Sequence, residues 1–380
     1  MINKLGIKNF TVFKKACFDF GPNLNIIVGN NGSGKTLLLK TIYAMSKFMR
    51  ELQKKDGVQF EHNCIVSASN EKLKSLFSVF NVSDLGDLLN WDAVSHDKKI
   101  TGSVAELSNP ESLKKLFLGK LEASLDMWTS VEDDAYDYQA RFSIERACFS
   151  NKSSNKNSLY PLQALPKCVF FPCRELLTIF PHYLALRQEY ILPYDSTYDD
   201  TIGKLGMPKR NGLSMRLKSI ISSLEKAING TIFLKNEHFY YHGENMPVGL
   251  NWEIDMIAEG WRKIGMLLQL IMGGSLREGS VLLWDEPEAN LNPLLIKLIA
   301  LTIVELSKLD IQVFITTQSL FLLNELEILL AKQKIKEGVR FFDLRQGKAP
   351  QQGNTRSALK NILLLDEEMK QSDRYMDEEV

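Results

Sequence analysis

The sequence has no excess of charge of either sign. Its 380 residues include 46 Lys and Arg and 46 Asp and Glu, so the formal net charge is zero. A protein that binds nucleic acid through its overall charge would be strongly basic. The balance therefore gives no argument for bulk nucleic-acid binding, although it is compatible with a local basic patch.

Long apolar runs and paired cysteines are also missing. No stretch of about 18 apolar residues is present, and the N-terminal MINKLGIKNFTVFKK carries no apolar core of the signal-peptide type. The five cysteines are scattered without a C-x-x-C pair, which indicates neither a zinc site nor a disulfide framework. We therefore expect a cytoplasmic protein that does not contact a membrane.

A phosphate-binding motif is what the sequence does contain. Residues 24–28 are mostly apolar and β-branched, as in a buried parallel strand, and GNNGSGKT at 29–36 fills every fixed position of G-x-x-x-x-G-K-[ST]. The helix that follows would add the positive end of its dipole. The residues that would wrap and contact the phosphate chain of ATP are Asn30, Asn31, Gly32, Ser33, Gly34 and Lys35. Thr36 would ligate Mg²⁺ through its hydroxyl.

A second motif, VLLWDEP at 281–287, places two carboxylates directly after four apolar residues. Asp285, at the end of a predicted strand, would hold Mg²⁺. Glu286 would orient or deprotonate the water that attacks the γ-phosphate. The alternative is a solvated acid pair at a strand end. Together the two motifs predict an ATPase that uses ATP and Mg²⁺.

Four features in the same order resemble one family. They are a predicted antiparallel ribbon over 4–20, GNNGSGKT, EGWRK at 259–263 about 25 residues before the second motif, and DEPEANLNP at 285–293. They resemble an ABC-type ATPase of the branch that includes SMC, RecF and OLD-family proteins. The resemblance covers roughly the first 50 residues and those after about residue 250. It implies a homodimer in which each ATP is sandwiched between two protomers.

The resemblance also implies roles for residues contributed across such a dimer. Ala258, Glu259 and Gly260 occupy the signature position, which meets the γ-phosphate bound by the other protomer. Ala258 stands where a serine is common. Asn290 and Asn292 resemble the D-loop, in which an acidic residue is more usual at the position of Asn292.

Gln318 departs from the pattern of the family, and the roles of Arg174 and Glu175 have two interpretations. Gln318 falls where a switch histidine normally contacts the γ-phosphate. We expect Gln318 to be catalytic because of this position. A glutamine amide donates a hydrogen bond but cannot carry a charge, so we expect hydrolysis to be slow. Arg174 and Glu175 follow the predicted strand CVFF and are either the counterpart of the Q-loop or a strand-end ion pair.

The implied fold class is α/β: a P-loop NTPase of the ABC type with an N-terminal antiparallel ribbon, a central mostly parallel sheet and largely helical insertions. We predict an ATPase core at 1–52 and 250–365 that includes 166–180, an inserted lobe at 53–165, a second helical insertion at 181–249 and an acidic tail at 366–380. Helical patterns lie near 70–80, 82–89, 109–125 and 176–192. Residues 194–200 read as an acidic turn.

Three functions are compatible with these features. The first is an ATP-dependent dimeric switch that controls a separate effector, which we expect to be a nuclease. The chain leaves no room for the C-terminal TOPRIM nuclease of full OLD proteins, so we expect any such chemistry to lie in the partner. It resembles the ATPase subunits of prokaryotic anti-phage defence systems. The second is a RecF-like DNA clamp, for which residues 204–218 supply five basic residues and no acid. The third is a nucleotide-binding scaffold with little hydrolysis, motivated by Ala258 and Gln318.

Overall fold

The computed structural model describes residues 1–56, 65–66, 78–80, 124–131, 134–142, 147–151, 167–190, 192–360 and 362–378. Its strands are β1 Ile2–Phe10, β2 Phe13–Asp19, β3 Leu24–Gly29, β4 Ile65–Val66, β5 Ser124–Val131, β6 Asp134–Phe142, β7 Ala147–Asn151, β8 Lys167–Phe171, β9 Gly230–Lys235, β10 His238–Gly243, β11 Trp252–Glu253, β12 Ser280–Asp285, β13 Gln312–Thr317, β14 Val339–Leu344 and β15 Gln351–Gly353. Its α-helices are α1 Lys35–Asp56, α2 Tyr183–Glu189, α3 Ser196–Leu205, α4 Met215–Ala227, α5 Glu259–Met272, α6 Pro293–Ser307, α7 Leu320–Lys332 and α8 Leu363–Asp377. Among the described helices, none has the length and apolar content needed to span a membrane.

The chain divides into two compact units. The first comprises Met1–Pro22, Gly29–Pro166 and Arg340–Lys360, and the second comprises Asn23–Val28, Lys167–Val339 and Asn361–Val380. The domain boundaries predicted from the sequence remain predictions.

An antiparallel sheet dominates the first unit. Its strand order is β2-β1-β5-β6-β7-β4. β1 and β2 form the predicted N-terminal ribbon, with Ile7 opposite Ala16 in the register. Phe18 of this ribbon is fully buried and lies 5.9 Å from Phe342, measured between ring centroids. The ribbon is stable because its apolar face packs on other apolar rings.

The first insertion differs from its predicted helical character where it is described. The predicted helix over 109–125 ends inside β5, because Ser124 is already a strand residue that pairs with Lys8 of β1. The sequence of β5, SLDMWTSV, alternates with a period of two, which favours a strand. Residues 82–89, and most of 70–80 and 109–125, lie outside the described residues.

Four parallel strands form the centre of the second unit, in the order β3-β13-β12-β8. Every residue of β12 and β13 is buried, as expected for strands covered on both faces. The register places Val28 opposite Thr317, and Asp285 opposite Thr316. The carboxyl ends of the strands therefore lie at one edge of the sheet. In open α/β sheets this edge is where ligands bind.

The second insertion is largely helical, with α2, α3 and α4 followed by the β9-β10-β11 sheet. The predicted helix over 176–192 is wrong in extent, since α2 covers only Tyr183–Glu189. Pro181 removes a backbone donor, and the Glu175 carboxylate accepts from the N–H groups of Leu177 and Thr178, which stabilises a turn instead.

The prediction of an acidic turn over 194–200 is also wrong. Residues from Ser196 onward form α3, and Asp195 is its N-cap. The Asp195 carboxylate accepts a hydrogen bond of 2.8 Å from the Thr197 N–H. Acidic residues at a helix N-terminus favour helix formation, so the acidic character of this stretch starts a helix.

Candidate functional site

The P-loop begins directly after β3 and leads into α1. Gly32 and Gly34 have φ angles of 76° and 96°, which favour glycine. A Cβ atom on Gly34 would also lie 2.5 Å from Val12 Cγ2 and 2.8 Å from Phe13 Cζ, so a larger residue is excluded there. The Leu38 N–H donates to the Gly34 carbonyl at 2.8 Å, which places Gly34 at the start of the helix.

The polar groups of the P-loop fit a phosphate ligand. Lys35 Nζ donates to the carbonyl oxygens of Gly29 and Asn30, at 2.7 Å and 3.2 Å. These bonds hold the ammonium beside the first residues of the loop. Ser33 Oγ is buried and has no hydrogen-bond partner among the described residues, so a donor is available for an oxygen of a ligand. An anion at this helix N-terminus would also be stabilised by the dipole of α1.

Asp285 is the last residue of β12 and is held by the neighbouring strand. The Thr316 hydroxyl of β13 donates to Asp285 Oδ1 at 2.6 Å. This bond fixes the orientation of a carboxylate whose hard oxygens are the ligands that Mg²⁺ prefers. The Asp285 carboxylate therefore fits its predicted magnesium role, and the role of Thr36 remains a prediction.

Glu286, the next residue, has a left-handed backbone conformation with φ of 46°. For a residue other than glycine this conformation costs about 1–2 kcal/mol, so surrounding contacts must hold it. Two of them come from Thr316: the Glu286 N–H donates to its carbonyl at 3.2 Å and to its hydroxyl oxygen at 3.1 Å. The conformation turns the chain sharply at the end of β12.

Both carboxylate oxygens of Glu286 receive donors. Gln318 Nε2 donates to Oε1 at 3.2 Å, and the Cys173 thiol donates to Oε2 at 3.7 Å. Burial raises the pKa of Cys173 to about 11, so the thiol keeps its proton at neutral pH and remains a donor. The structure thus brings together the two residues predicted to be catalytic, Glu286 and Gln318.

Glu288 connects the D-loop to the segment that carries Gln318. Its Oε1 accepts from the Thr317 hydroxyl at 2.7 Å and from the Gln318 N–H at 3.3 Å. Burial raises the pKa of the Glu288 carboxyl. The side chain therefore positions the backbone of Gln318 relative to the turn after β12.

The signature residues start α5. Ala258 is the N-cap and supplies no side-chain hydrogen bond to the helix. Glu259 Oε1 accepts from Asn290 Nδ2 at 2.7 Å, which links the signature to the D-loop. Gly260 approaches the same loop closely, because a Cβ atom on it would lie 3.0 Å from Leu291 Cδ2 and 3.1 Å from the Asn290 carbonyl oxygen.

Asn292 has a local structural contact. It is the N-cap of α6, and its Oδ1 accepts from the Leu295 N–H at 3.0 Å. Asn and Asp are both favoured N-caps, so the departure from an acidic residue leaves the start of this helix intact. Asn290 has φ of 62°, a left-handed value that asparagine tolerates better than most residues.

Arg262 and Lys263 of α5 contact the segments around Glu286. Arg262 Nε lies 3.3 Å from Glu175 Oε1, in an ion pair that is mostly shielded from solvent. Lys263 Nζ donates to the carbonyl oxygens of Glu286 and Ala289, at 2.7 Å and 3.2 Å. Glu175 therefore pairs with Arg262, and its assignment to a Q-loop remains a prediction, as does that of Arg174.

The sequence patterns assign no role to several of these residues, although Lys263 lies within EGWRK and Glu288 within DEPEANLNP. Lys263, Glu288, Thr316 and Cys173 surround Glu286, but no spacing rule connects them. One signal was present for Glu288, which lies two residues after the carboxylate pair in DEPE. By unit, the P-loop belongs to the first, and Asp285, Glu286, Gln318 and the signature belong to the second.

Most of the chain matches one protein family. Residues 24–324 match the family described as "AAA domain, putative AbiEii toxin, Type IV TA system". The chain belongs to this family. The match includes the P-loop, the signature helix, the carboxylate pair and Gln318.

Parts of the chain are also similar to RecF proteins. The DNA replication and repair protein RecF of Streptococcus agalactiae serotype Ia is 38% identical over 64 residues, which are 16% of this chain and 17% of that protein. RecF of Shewanella pealeana is 26% identical over 154 residues, or 38% of this chain and 43% of that protein. The matched regions thus span less than half of the length of these relatives.

The fold is also known from a solved structure. The crystal structure of the SmcHead bound to the C-winged helix domain of ScpA matches with a TM-score of 0.52 and 14% identity, over 94% of this chain and 99% of that chain. The predicted α/β fold of the ABC type is therefore confirmed. The family match and the local similarity to RecF support the predicted SMC/RecF branch. The resemblance to OLD-family and anti-phage proteins remains a prediction.

Proposed function

We propose that this protein is an ATP-hydrolysing switch that acts as a homodimer and controls a separate effector protein, a nuclease in anti-phage defence. The observation that carries the ATPase assignment is the fixed Glu286 carboxylate, which accepts a hydrogen bond from Gln318 at the carboxyl edge of the parallel sheet. A carboxylate oriented in this way suits a general base.

Each residue has a part in the proposed reaction. The P-loop N–H groups and Lys35 bind and orient the phosphates. Thr36 and Asp285 hold Mg²⁺, which when bound neutralises charge that develops on the phosphate oxygens. Glu286 orients the attacking water and accepts its proton, while the Gln318 amide donates a hydrogen bond and keeps Glu286 in place.

The proposed dimer shares each ATP between two copies of the chain. The N-terminus of α5, with Glu259 and Gly260, would meet the phosphates bound by the other copy. A two-fold dimer of this kind would close on ATP and reopen after hydrolysis. The likeness to an SMC head supports the fold that such a dimer needs, and the dimer itself is our proposal.

The effector role draws support from the family description. It names a type IV toxin–antitoxin system, and such a system consists of at least two components. A chain that hydrolyses ATP would act in it by changing the state of its partner. We place any nuclease chemistry in that separate partner.

Steady-state ATP hydrolysis tests the first part of the proposal. Glu286→Gln should lower the turnover rate by about 100-fold or more, because general base catalysis contributes at least that much. Glu278→Gln, a change at an exposed carboxylate, is the matched control and should leave the rate unchanged. Equal turnover in wild type and Glu286→Gln would favour the scaffold function instead.

Co-purification with the products of neighbouring genes tests the second part. The wild-type protein should gain or lose a partner when ATP is added, and Lys35→Ala should abolish that response because it weakens phosphate binding. A complex that forms equally with and without ATP would contradict the switch.

A DNA clamp is the second candidate function. The local similarity to RecF favours it, as do Lys209, Arg210, Arg216 and Lys218, which are exposed. Binding should then weaken steeply with salt, with a slope of log K against log salt of about −0.9 per phosphate contacted. Lys209→Glu with Lys218→Glu should remove the binding, whereas Lys332→Glu with Lys336→Glu, at other exposed positions, should not. Binding that is unaffected by salt or by the first pair would exclude this function.

A further inference from the structure

Lys263 is a lysine that is almost completely buried, with 2% of its surface exposed. It lies in the second turn of α5, whose apolar residues form part of the core. A buried ammonium is costly unless its donors are used, and this burial lowers the pKa of Lys263. Such a position calls for a specific reason, because an apolar side chain could otherwise fill the same space.

The contacts of Lys263 supply that reason. Its ammonium donates to the carbonyl oxygens of Glu286 and Ala289, which bracket the turn after β12. The Glu286 N–H is held by Thr316 on its other side. The peptide groups flanking the Cα of Glu286 are therefore fixed by two different elements, α5 and β13. Both contacts oppose relaxation of the left-handed φ of 46° at Glu286.

We infer that Lys263 is a positioning residue for ATP hydrolysis. It holds the backbone of Glu286 so that the carboxylate faces its donors, Gln318 and Cys173, and it joins this turn to the helix that begins with the signature residues. A displacement of the start of α5 would therefore move the backbone of Glu286 through the side chain of Lys263. This inference rests on the proposed ATPase function.

The neighbouring contacts of α5 agree with this role. Arg262 pairs with Glu175, two residues after Cys173, and Glu259 accepts from Asn290 in the D-loop. Three side chains of α5 thus contact the turn after β12, the D-loop and the segment that follows β8. Lys263 differs from the other two because it contacts the backbone of Glu286 itself, so its effect should be felt on the chemical step.

Substitution of Lys263 tests the inference through kinetics. Lys263→Met keeps the length and the apolar stem and removes the donors. We expect kcat to fall by about tenfold to 100-fold with the KM for ATP changed less than about twofold, since a small displacement of a catalytic group costs rate and not binding. Lys263→Arg, which can donate to both carbonyl groups, should recover part of the loss.

Two further variants complete the series. Lys297→Met, at a lysine of α6 whose side chain is 55% exposed, is the matched control and should behave as wild type. Lys263→Gln carries a shorter polar side chain that cannot reach both carbonyl groups, and it repeats the test where the Met variant does not fold. A kcat within about twofold of wild type in a folded Met or Gln variant would overturn the inference.

Amide hydrogen exchange separates this inference from the proposed function. In the nucleotide-free Met or Gln variant, peptides covering 286–291 should exchange at least about tenfold faster than in wild type, while peptides of α7 should not change. Unchanged exchange at 286–291 would overturn the positioning role. A wild-type protein that does not hydrolyse ATP would refute the proposed function, and the exchange result would still decide whether Lys263 holds this turn.

Discussion

At the scale of single residues, the most unusual feature is the amide of Gln318 beside Glu286. The amide donates a hydrogen bond of 3.2 Å to the carboxylate, but it cannot take or give a proton in the reaction. A histidine at this position would add a group that titrates near neutral pH. The side chain at 318 should therefore set the rate of hydrolysis more than the affinity for ATP.

Replacement of Gln318 tests this expectation. Gln318→His should raise kcat by up to about tenfold, which is below the 100-fold or more that a well-placed acid or base contributes. Gln318→Leu should lower kcat, because Glu286 then loses one donor. The measurement is steady-state ATP hydrolysis, with Gln371→His at an exposed position as control. An unchanged kcat in both Gln318 variants would show that this side chain does not act in hydrolysis.

The sequence predicted the residues that belong to contiguous motifs. GNNGSGKT and VLLWDEP can be recognised because each role follows from position within a short string. Lys263 and Thr316 could not be found in this way. Their roles depend on the register between β12 and β13 and on the packing of α5, which join residues 23 and 31 positions apart in the chain.

At the scale of elements, strands and helices with strong patterns were predicted to within a few residues. β3, β8 and β12 are examples, since each is a short apolar run. The predicted helix over 176–192 is wrong in extent because Pro181 and the Glu175 side chain favour a turn. The prediction of a turn over 194–200 is wrong because the N-cap of a helix and a polar turn have similar residues.

The contact between α5 and the D-loop is the element-scale feature that can be tested by one substitution. Gly260→Val should place methyl groups against Leu291 and the Asn290 carbonyl, which are already 3.0 Å and 3.1 Å from the position of a Cβ atom. ATP binding should persist, while the rate of hydrolysis should fall by at least about tenfold. Gly203→Val is the matched control, because a Cβ atom there meets nothing within 4 Å.

At the scale of the whole molecule, we propose that each ATP site is shared between two copies of the chain. The P-loop and Glu286 of one copy would act together with the signature residues of its partner. The fold of an SMC head and the membership of an ATPase family are established by the comparisons, and the shared site is the step that goes beyond them. The proposed switch depends on this shared site, because a monomeric ATPase has no dimer that could close on ATP and thereby change the state of an effector.

Mixing two inactive variants tests the shared site most directly. Lys35→Ala disables phosphate binding and Gly260→Val disables the signature, so each protein alone should hydrolyse little ATP. In an equal mixture, about half of the dimers would be mixed and each would hold one intact site. We expect the mixture to recover about a quarter of the wild-type rate. A mixture whose rate equals only the average of the two separate variants would contradict the shared site.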